Sequence, residues 1–154
     1  MNVIHLMVAV AAIAHGLLTP AAATINDPEI VVYRFPGVLE TGGTGTTTVF
    51  HCTNFSGATE NIRFATRASN GPIVTNMVTT INSFATLTAS TGQTAAYTDN
   101  LVLNTGSISQ GSTAIAATSI NVVCTAATID ASTTVPVGIS LRGIRFNPVP
   151  GAQE

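Results

Sequence analysis

Asn61-Ile62-Arg63-Phe64-Ala65-Thr66-Arg67-Ala68 changes character at every step. Ile62, Phe64 and Thr66 fall on one face, and Arg63, Ala65 and Arg67 on the other. A period of two with the charges on a single face is the pattern of a half-buried strand. Asn70-Gly71-Pro72 then reads as a turn, and Ile73 to Val78 resumes the alternation. Upstream, Glu29 to Phe35 is a β-rich run stopped by Pro36-Gly37, and the loop Thr41 to Gly45 leads into a second run, Thr46 to Asn54. Downstream runs cover Phe84 to Ala89, Asn100 to Leu103, Thr113 to Thr125 and Val135 to Phe146. Turn residues stand between them at Thr91-Gly92, Thr105-Gly106 and Gln110-Gly111. Seven or eight short strands with no convincing helix beyond the N-terminal segment predict an all-β fold. The expected form is a two-layer antiparallel β-sandwich of the Ig-like or Greek-key type.

Two cysteines, Cys52 and Cys124, follow the N-terminal segment. In an oxidising compartment an even number without other ligand-rich context reads as one disulfide. A loop this long would stabilise the fold by roughly 4 kcal/mol on the chain-entropy account. Phe50 and Cys52 share a face of their strand, as do Ile120, Val122 and Cys124, so both sulfurs point to the core. The expected bridge is therefore an inter-sheet staple. In the last run Val137, Ile139 and Leu141 are in phase, whereas Ile144 and Phe146 are one residue out. A β-bulge at Arg142-Gly143 would return Ile144 and Phe146 to the core face and leave Arg142 and Arg145 outside.

Val3 to Leu18 is almost continuously apolar and is followed by Thr19-Pro20 and Ala21-Ala22-Ala23. A helical apolar run, a helix breaker and a small-residue triplet match a secretory signal peptide over residues 1–23, cleaved after Ala23. Residues 24–154 then form a single domain, exported to the periplasm, cell surface or medium, with no stable membrane insertion after cleavage. Charged residues are only 8% of the 154, against about 25% in an ordinary domain. Net charge is −2, with five basic residues, all of them arginine. Nucleic acid is excluded as a partner on this ground, because counterion release needs a cluster of cations.

No catalytic signature is present: the G-x-S-x-G elbow, the P-loop and the H-E-x-x-H pair are all missing. His51 is the one histidine after the signal segment, and it lies opposite Cys52, on the outward face. A Ser-His-Asp arrangement would have to recruit Asp99 or Asp130 from distant loops. The remaining acids (Asp27, Glu29, Glu40, Glu60 and Glu154) are isolated and mostly at strand ends or turns. No C-x-x-C or other metal spacing occurs, and no cofactor motif, since Gly42-Gly43-Thr44-Gly45 lacks a lysine and leads into a strand. Arg63 and Arg67 are about 13 Å apart along one strand, too far to grip one small anion. Exposed aromatic platforms for carbohydrate are few, and scattered threonines are accounted for as β-branched strand formers.

Thr48-Val49-Phe50-His51-Cys52-Thr53-Asn54-Phe55-Ser56, the alternating strand after it and Asn70-Gly71 resemble the first half of a group of small exported bacterial β-sandwich proteins. Thr94 to Asp99, Gly106 to Ser112 and Cys124-Thr125-Ala126 are similar to the second half of the same group. The resemblance implies a bacterial exported sandwich and carries no activity, because that group is functionally uncharacterised. Fimbrial subunits are also exported, threonine-rich and disulfide-bonded, but their cysteines lie closer together. The expected function is a non-catalytic structural or interaction module, with another envelope or extracellular protein or a second copy as partner. The alternatives are a subunit of a surface polymer or fimbria-like adhesin assembled by strand addition and, remotely, a small secreted hydrolase using His51.

Overall fold

The computed structural model describes Glu29 to Phe146; the expected signal peptide and cleavage site lie outside these residues. Every regular element among them is a strand: β1 (Ile30–Glu40), β2 (Thr46–Asn54), β3 (Glu60–Arg67), β4 (Ile73–Ile81), β5 (Thr86–Ser90), β6 (Leu101–Val102), β7 (Ile108–Ala117), β8 (Val122–Asp130), β9 (Gly138–Leu141) and β10 (Ile144–Arg145). They form one hydrogen-bonded sheet curled into a half-barrel, in the order β4-β3-β7-β1-β2-β5-β6. β8 lies on the other side of β2 and carries β9, and β10 pairs with β1.

The curl begins at the β1–β2 corner. β1 meets β2 at one pair, Glu40 opposite Thr47. β1 then runs along β7, and β2 runs between β5 and β8. The Thr48 hydroxyl holds the corner, accepting from the Leu39 N–H at 2.9 Å and donating to the Leu39 carbonyl at 3.0 Å. Because the strands diverge from there, their inner faces turn toward each other. Phe50 of β2 packs between Phe35 of β1 and Phe64 of β3, with ring centroids 5.7 and 5.9 Å apart. Val32, Val38, Ile62, Ile115, Leu103 and Val122 complete the core around these rings.

The disulfide forms, but it is not the inter-sheet staple expected. Cys52 stands directly opposite Cys124 in the β2–β8 ladder. Their Cα atoms are 4.1 Å apart, close to the spacing of a non-hydrogen-bonded antiparallel pair, whose side chains share a face. Both sulfurs do face the core, beside the buried Phe50 and Val122. Ile120, expected on that face, lies in the turn before β8 and is exposed.

Ten strands replace the seven or eight expected, for identifiable reasons. The run Thr113 to Thr125 is two strands, because the chain reverses between Ala117 and Val122. Pro36-Gly37 does not stop β1; the ladder with β7 absorbs it through register shifts between Pro36, Val38 and Glu40. Gly111, expected in a turn, lies inside β7, where a Cβ would come within 2.7 Å of the Arg67 carbonyl oxygen. Only glycine permits that close approach.

The irregularity at Arg142-Gly143 is present, but as a change of partner. β9 pairs with β8, and after the break β10 pairs with β1. Ile144 stands opposite Arg34 and is exposed, while Arg145 stands opposite Tyr33 with its guanidinium 5.8 Å from that ring. The parity is thus the reverse of the expected bulge. In β9 the expected phase is present without the expected burial. Ile139 is opposite Thr128, whose hydroxyl reaches the buried Thr48, yet Ile139 and Val137 are each 75% exposed. The strand crosses toward β1 only after Leu141, so the residues before it project past the core.

Replacing Phe50 with alanine is expected to lower unfolding free energy by about 3–5 kcal/mol. Ile139→Ala is expected to stay within about 0.5 kcal/mol. Urea titrations of the two oxidised variants check both.

Candidate functional site

His51 occupies the outer face of β2, opposite in direction to Cys52. Its row across the sheet is Thr88 of β5, His51, then Thr125 of β8. Nδ1 lies 3.1 Å from the Thr88 hydroxyl, and the ring meets Tyr97 edge-on with centroids 4.7 Å apart. Tyr97 is delivered by the segment 91–100, which folds back over this face. Asn100 fastens the segment to β5: its Oδ1 accepts from the Thr88 N–H at 2.8 Å, and its N–H donates to the Thr88 carbonyl at 2.9 Å.

The outward histidine is therefore half covered instead of simply solvent-facing. Burial under this cover holds the His51 imidazole below its ordinary range, and the negative charge of Asp99 opposes that shift. Asp99 itself accepts from the Thr94 N–H at 2.8 Å and from the Thr94 hydroxyl. Asp130 accepts from the Ser132 N–H at 2.8 Å and the Ser132 hydroxyl at 2.7 Å. Each acid considered as a triad partner is thus bonded within its own loop, and His51 is bonded to a threonine. Arg63 pairs with Glu29 and reaches Asn76, whereas Arg67 donates to the Gly71 carbonyl at 2.8 Å. The two arginines are engaged separately. Among the described residues no three His, Cys, Asp or Glu side chains lie close enough to share a metal ion.

A second polar cluster escaped the sequence reading. Glu40 is buried at the β1–β2 corner. Oε2 accepts from the Thr47 hydroxyl at 2.7 Å and the Thr91 hydroxyl at 2.9 Å, and Oε1 accepts from the Gly42 N–H at 2.8 Å. Gly92 lies against it: a Cβ there would come within 2.5 Å of Oε2. A carboxylate removed from water is stable only when its oxygens are satisfied in this way. The cluster joins β1, β2 and the segment after β5, so it locks the fold's corner. Thr91 is remote in sequence, and no local spacing signals it.

At the far end of β2 the buried Asn54 ties two loops together. Its amide donates to the carbonyls of Ala58 at 2.6 Å and Ile81 at 3.1 Å, and its Oδ1 accepts from the Ser56 N–H at 2.9 Å. Phe55 and Phe84 stand exposed on either side, and Phe84 has a φ of 57°. That left-handed backbone is uncommon for an aromatic residue. It is held by the Phe84 N–H donating to the Asn54 carbonyl at 2.9 Å.

No family model, no curated protein and no solved structure matches the chain.

Two outcomes are expected. The folded chain binds a proton at His51 less readily than the unfolded chain does, so this contribution to stability is complete above the ordinary histidine value of 6.5. It is lost as pH falls through the depressed folded value. Denaturation midpoints between pH 7 and 5 should fall for the wild type and fall less for His51→Gln. Thr47→Val removes one donor from the buried Glu40 and is expected to cost about 1–3 kcal/mol at pH 7 by urea unfolding.

Proposed function

We propose that this chain is an exported, non-catalytic domain that acts by surface contact, as a structural or interaction module of a bacterial envelope or its surroundings. The observation that carries the reading is a group of uncovered branched apolar residues on the run into β9. Val135, Val137 and Ile139 are 68%, 75% and 75% exposed and recur every second residue. Isolated apolar residues on a surface need no account, but three large branched ones exposed within five residues support a contact site. The disulfide supports the exported compartment, since such bonds persist under oxidising conditions. The apolar N-terminal segment with Ala21-Ala22-Ala23 supports a cleaved signal peptide.

Phe50, gripped between Phe35 and Phe64, supports reading the curled sheet as two facing layers of a sandwich. The bonds made by His51, Asp99 and Asp130 support leaving them out of any reaction. Strand addition into a surface polymer is favoured as the form of contact by one further observation. β4 is nine residues long, pairs with β3 alone and carries no charge.

Protein recovered from periplasm and medium after cross-linking in intact cells tests the reading. The expected result is a chain beginning at Thr24, with no free thiol, found in species heavier than the monomer. A full-length cytosolic chain with two thiols would overturn export. A cross-linked sample that is monomeric throughout would overturn the contact role.

A further inference from the structure

Residues directly opposed in an antiparallel ladder share a face. The register therefore puts Arg67 of β3, Ser112 of β7 and Pro36 of β1 in one row on the outer side of the sheet. Ser112 lines a cavity of about 280 Å³ together with Ala68, Ser69, Gln110 and Gly111. Pro36 lines a second, of about 360 Å³, with Arg142, Gly143 and Ile144. Since Ser112 and Pro36 are ladder partners, the two cavities lie side by side and form a trough across the strands. Its shape has local causes. The Phe146 N–H donates to the Val32 carbonyl, so residues 32, 34 and 36 turn their main chain toward β10. The next ladder bond would need an N–H from Pro36, which has none, and β10 pairs no further. A Cβ at Gly143 would strike the Phe35 ring, and one at Gly111 would come within 2.7 Å of the Arg67 carbonyl oxygen. Both halves of the trough are thus kept free of bulk.

Both ends of the trough are cationic. Arg67 closes the row on β3, about 10 Å from Pro36 across two strand spacings, and Arg142 lines the opposite end. Arg34, the next outward residue of β1, stands beside them with its guanidinium 5.4 Å from the centroid of the Phe146 ring. No acid lines either cavity. The ion pair among the described residues joins Arg63 to Glu29 and leaves these three arginines without a carboxylate. Arg67 donates once, to the Gly71 carbonyl, of the five N–H groups a guanidinium carries. The side chains of Ser69, Gln110 and Ser112 enter no hydrogen bond among the described residues. In a chain of net charge −2 with five basic residues, three of the five gather round one depression.

From this arrangement we infer that the trough binds an extended acidic polysaccharide, a chain of sugars carrying repeated carboxylates. Arg67 and Arg142 are too far apart for one small anion, so cations at both ends of a path call for charge that repeats along the ligand. Guanidinium groups pair with carboxylates through parallel N–H donors. Between them, the unspent hydroxyls of Ser69 and Ser112 and the amide of Gln110 suit sugar hydroxyls. An acidic peptide is served less well. β7 lies between β3 and β1 with both edges paired, and Pro36 offers no N–H, so the trough gives a peptide main chain nothing to pair with. A membrane surface is broad and does not enter a depression. The inference rests on the contact reading above only in taking the domain as non-catalytic; it names a glycan as partner, at a face separate from the run into β9.

The test is calorimetric titration of the oxidised chain 24–154 with a decamer of galacturonate and, for comparison, a neutral glucose decamer. The wild type is expected to bind the acidic decamer, more weakly as salt is raised, and to ignore the neutral one. Arg67→Gln and Arg142→Gln are each expected to weaken binding at least about tenfold. Ser112→Gln adds bulk to the floor without changing charge and is expected to weaken it several-fold. Arg145→Gln removes the same charge outside the trough, where Arg145 donates to the Ile120 carbonyl, and is expected to leave binding unchanged. Equal loss from Arg145→Gln, or none from Ser112→Gln, would reduce the contact to diffuse attraction and overturn the trough as a site. A glutamate decamer bound as tightly as the galacturonate would overturn the glycan in favour of an acidic peptide. Binding to vesicles of anionic lipid with the same dependence on Arg67 and Arg142 would overturn it in favour of a membrane. A wild type that binds no galacturonate would overturn the inference outright, while the cross-linking in cells still decides the contact reading. Retained disulfide and wild-type far-ultraviolet circular dichroism exclude misfolding as the cause of any loss.

Discussion

The β2–β8 ladder is the constraint on which the rest of the structure depends. It runs from Thr46 opposite Asp130 to Asn54 opposite Val122, and the Cys52–Cys124 bond closes it on the core side. β2 also carries Phe50 into the centre, His51 to the outer face, Thr47 and Thr48 into the corner, and Asn54 into the far loops. Its two faces and two ends thus serve four different tasks. Joining residues 72 apart in sequence gives a sheet of mostly non-local pairings a covalent anchor at its middle. In a chain with few charges, cohesion rests on apolar packing and on hydroxyl-to-backbone bonds instead of ion pairs.

Much of this was legible in the residues because alternation reports faces directly. Ile62, Phe64 and Thr66 are all buried in β3, as their phase required. Cys52, Phe50 and Val122 share the core side for the same reason. Periodicity does not report which strand lies alongside, and this is where expectation and structure part. Two inward cysteines are compatible with opposed layers or with neighbours in one ladder, and only the register separates these. Pro36-Gly37 reads as a stop by local chemistry, yet a bulged ladder accommodates it. Ile139 shows the converse: its face was legible, but its cover depends on where the chain crosses to β1.

The polar sites follow the same division. The outward side of His51 followed from Cys52 being inward, whereas its cover by Tyr97 arises from a segment more than forty residues away. Glu40 was visible as a strand-end acid, and its burial depends on Thr91, which folding alone brings near. The structure spends its hydroxyls on fastening corners and loops. Among the groups it leaves uncovered are large apolar ones: Val135, Val137 and Ile139 before Leu141, Ile73, Val74 and Val78 of β4, and the rings of Phe55 and Phe84. They support the contact role proposed above.

Amide hydrogen exchange on the oxidised and reduced chain tests the central claim most directly. If β2 and β8 are neighbours locked through the core, residues 47–54 and 122–129 should be the slowest to exchange in the oxidised protein. Protection of both strands should then fall together on reduction, by more than that of β3 and β7. Fast exchange of β8 in the oxidised protein, at the level of β9, would contradict the account.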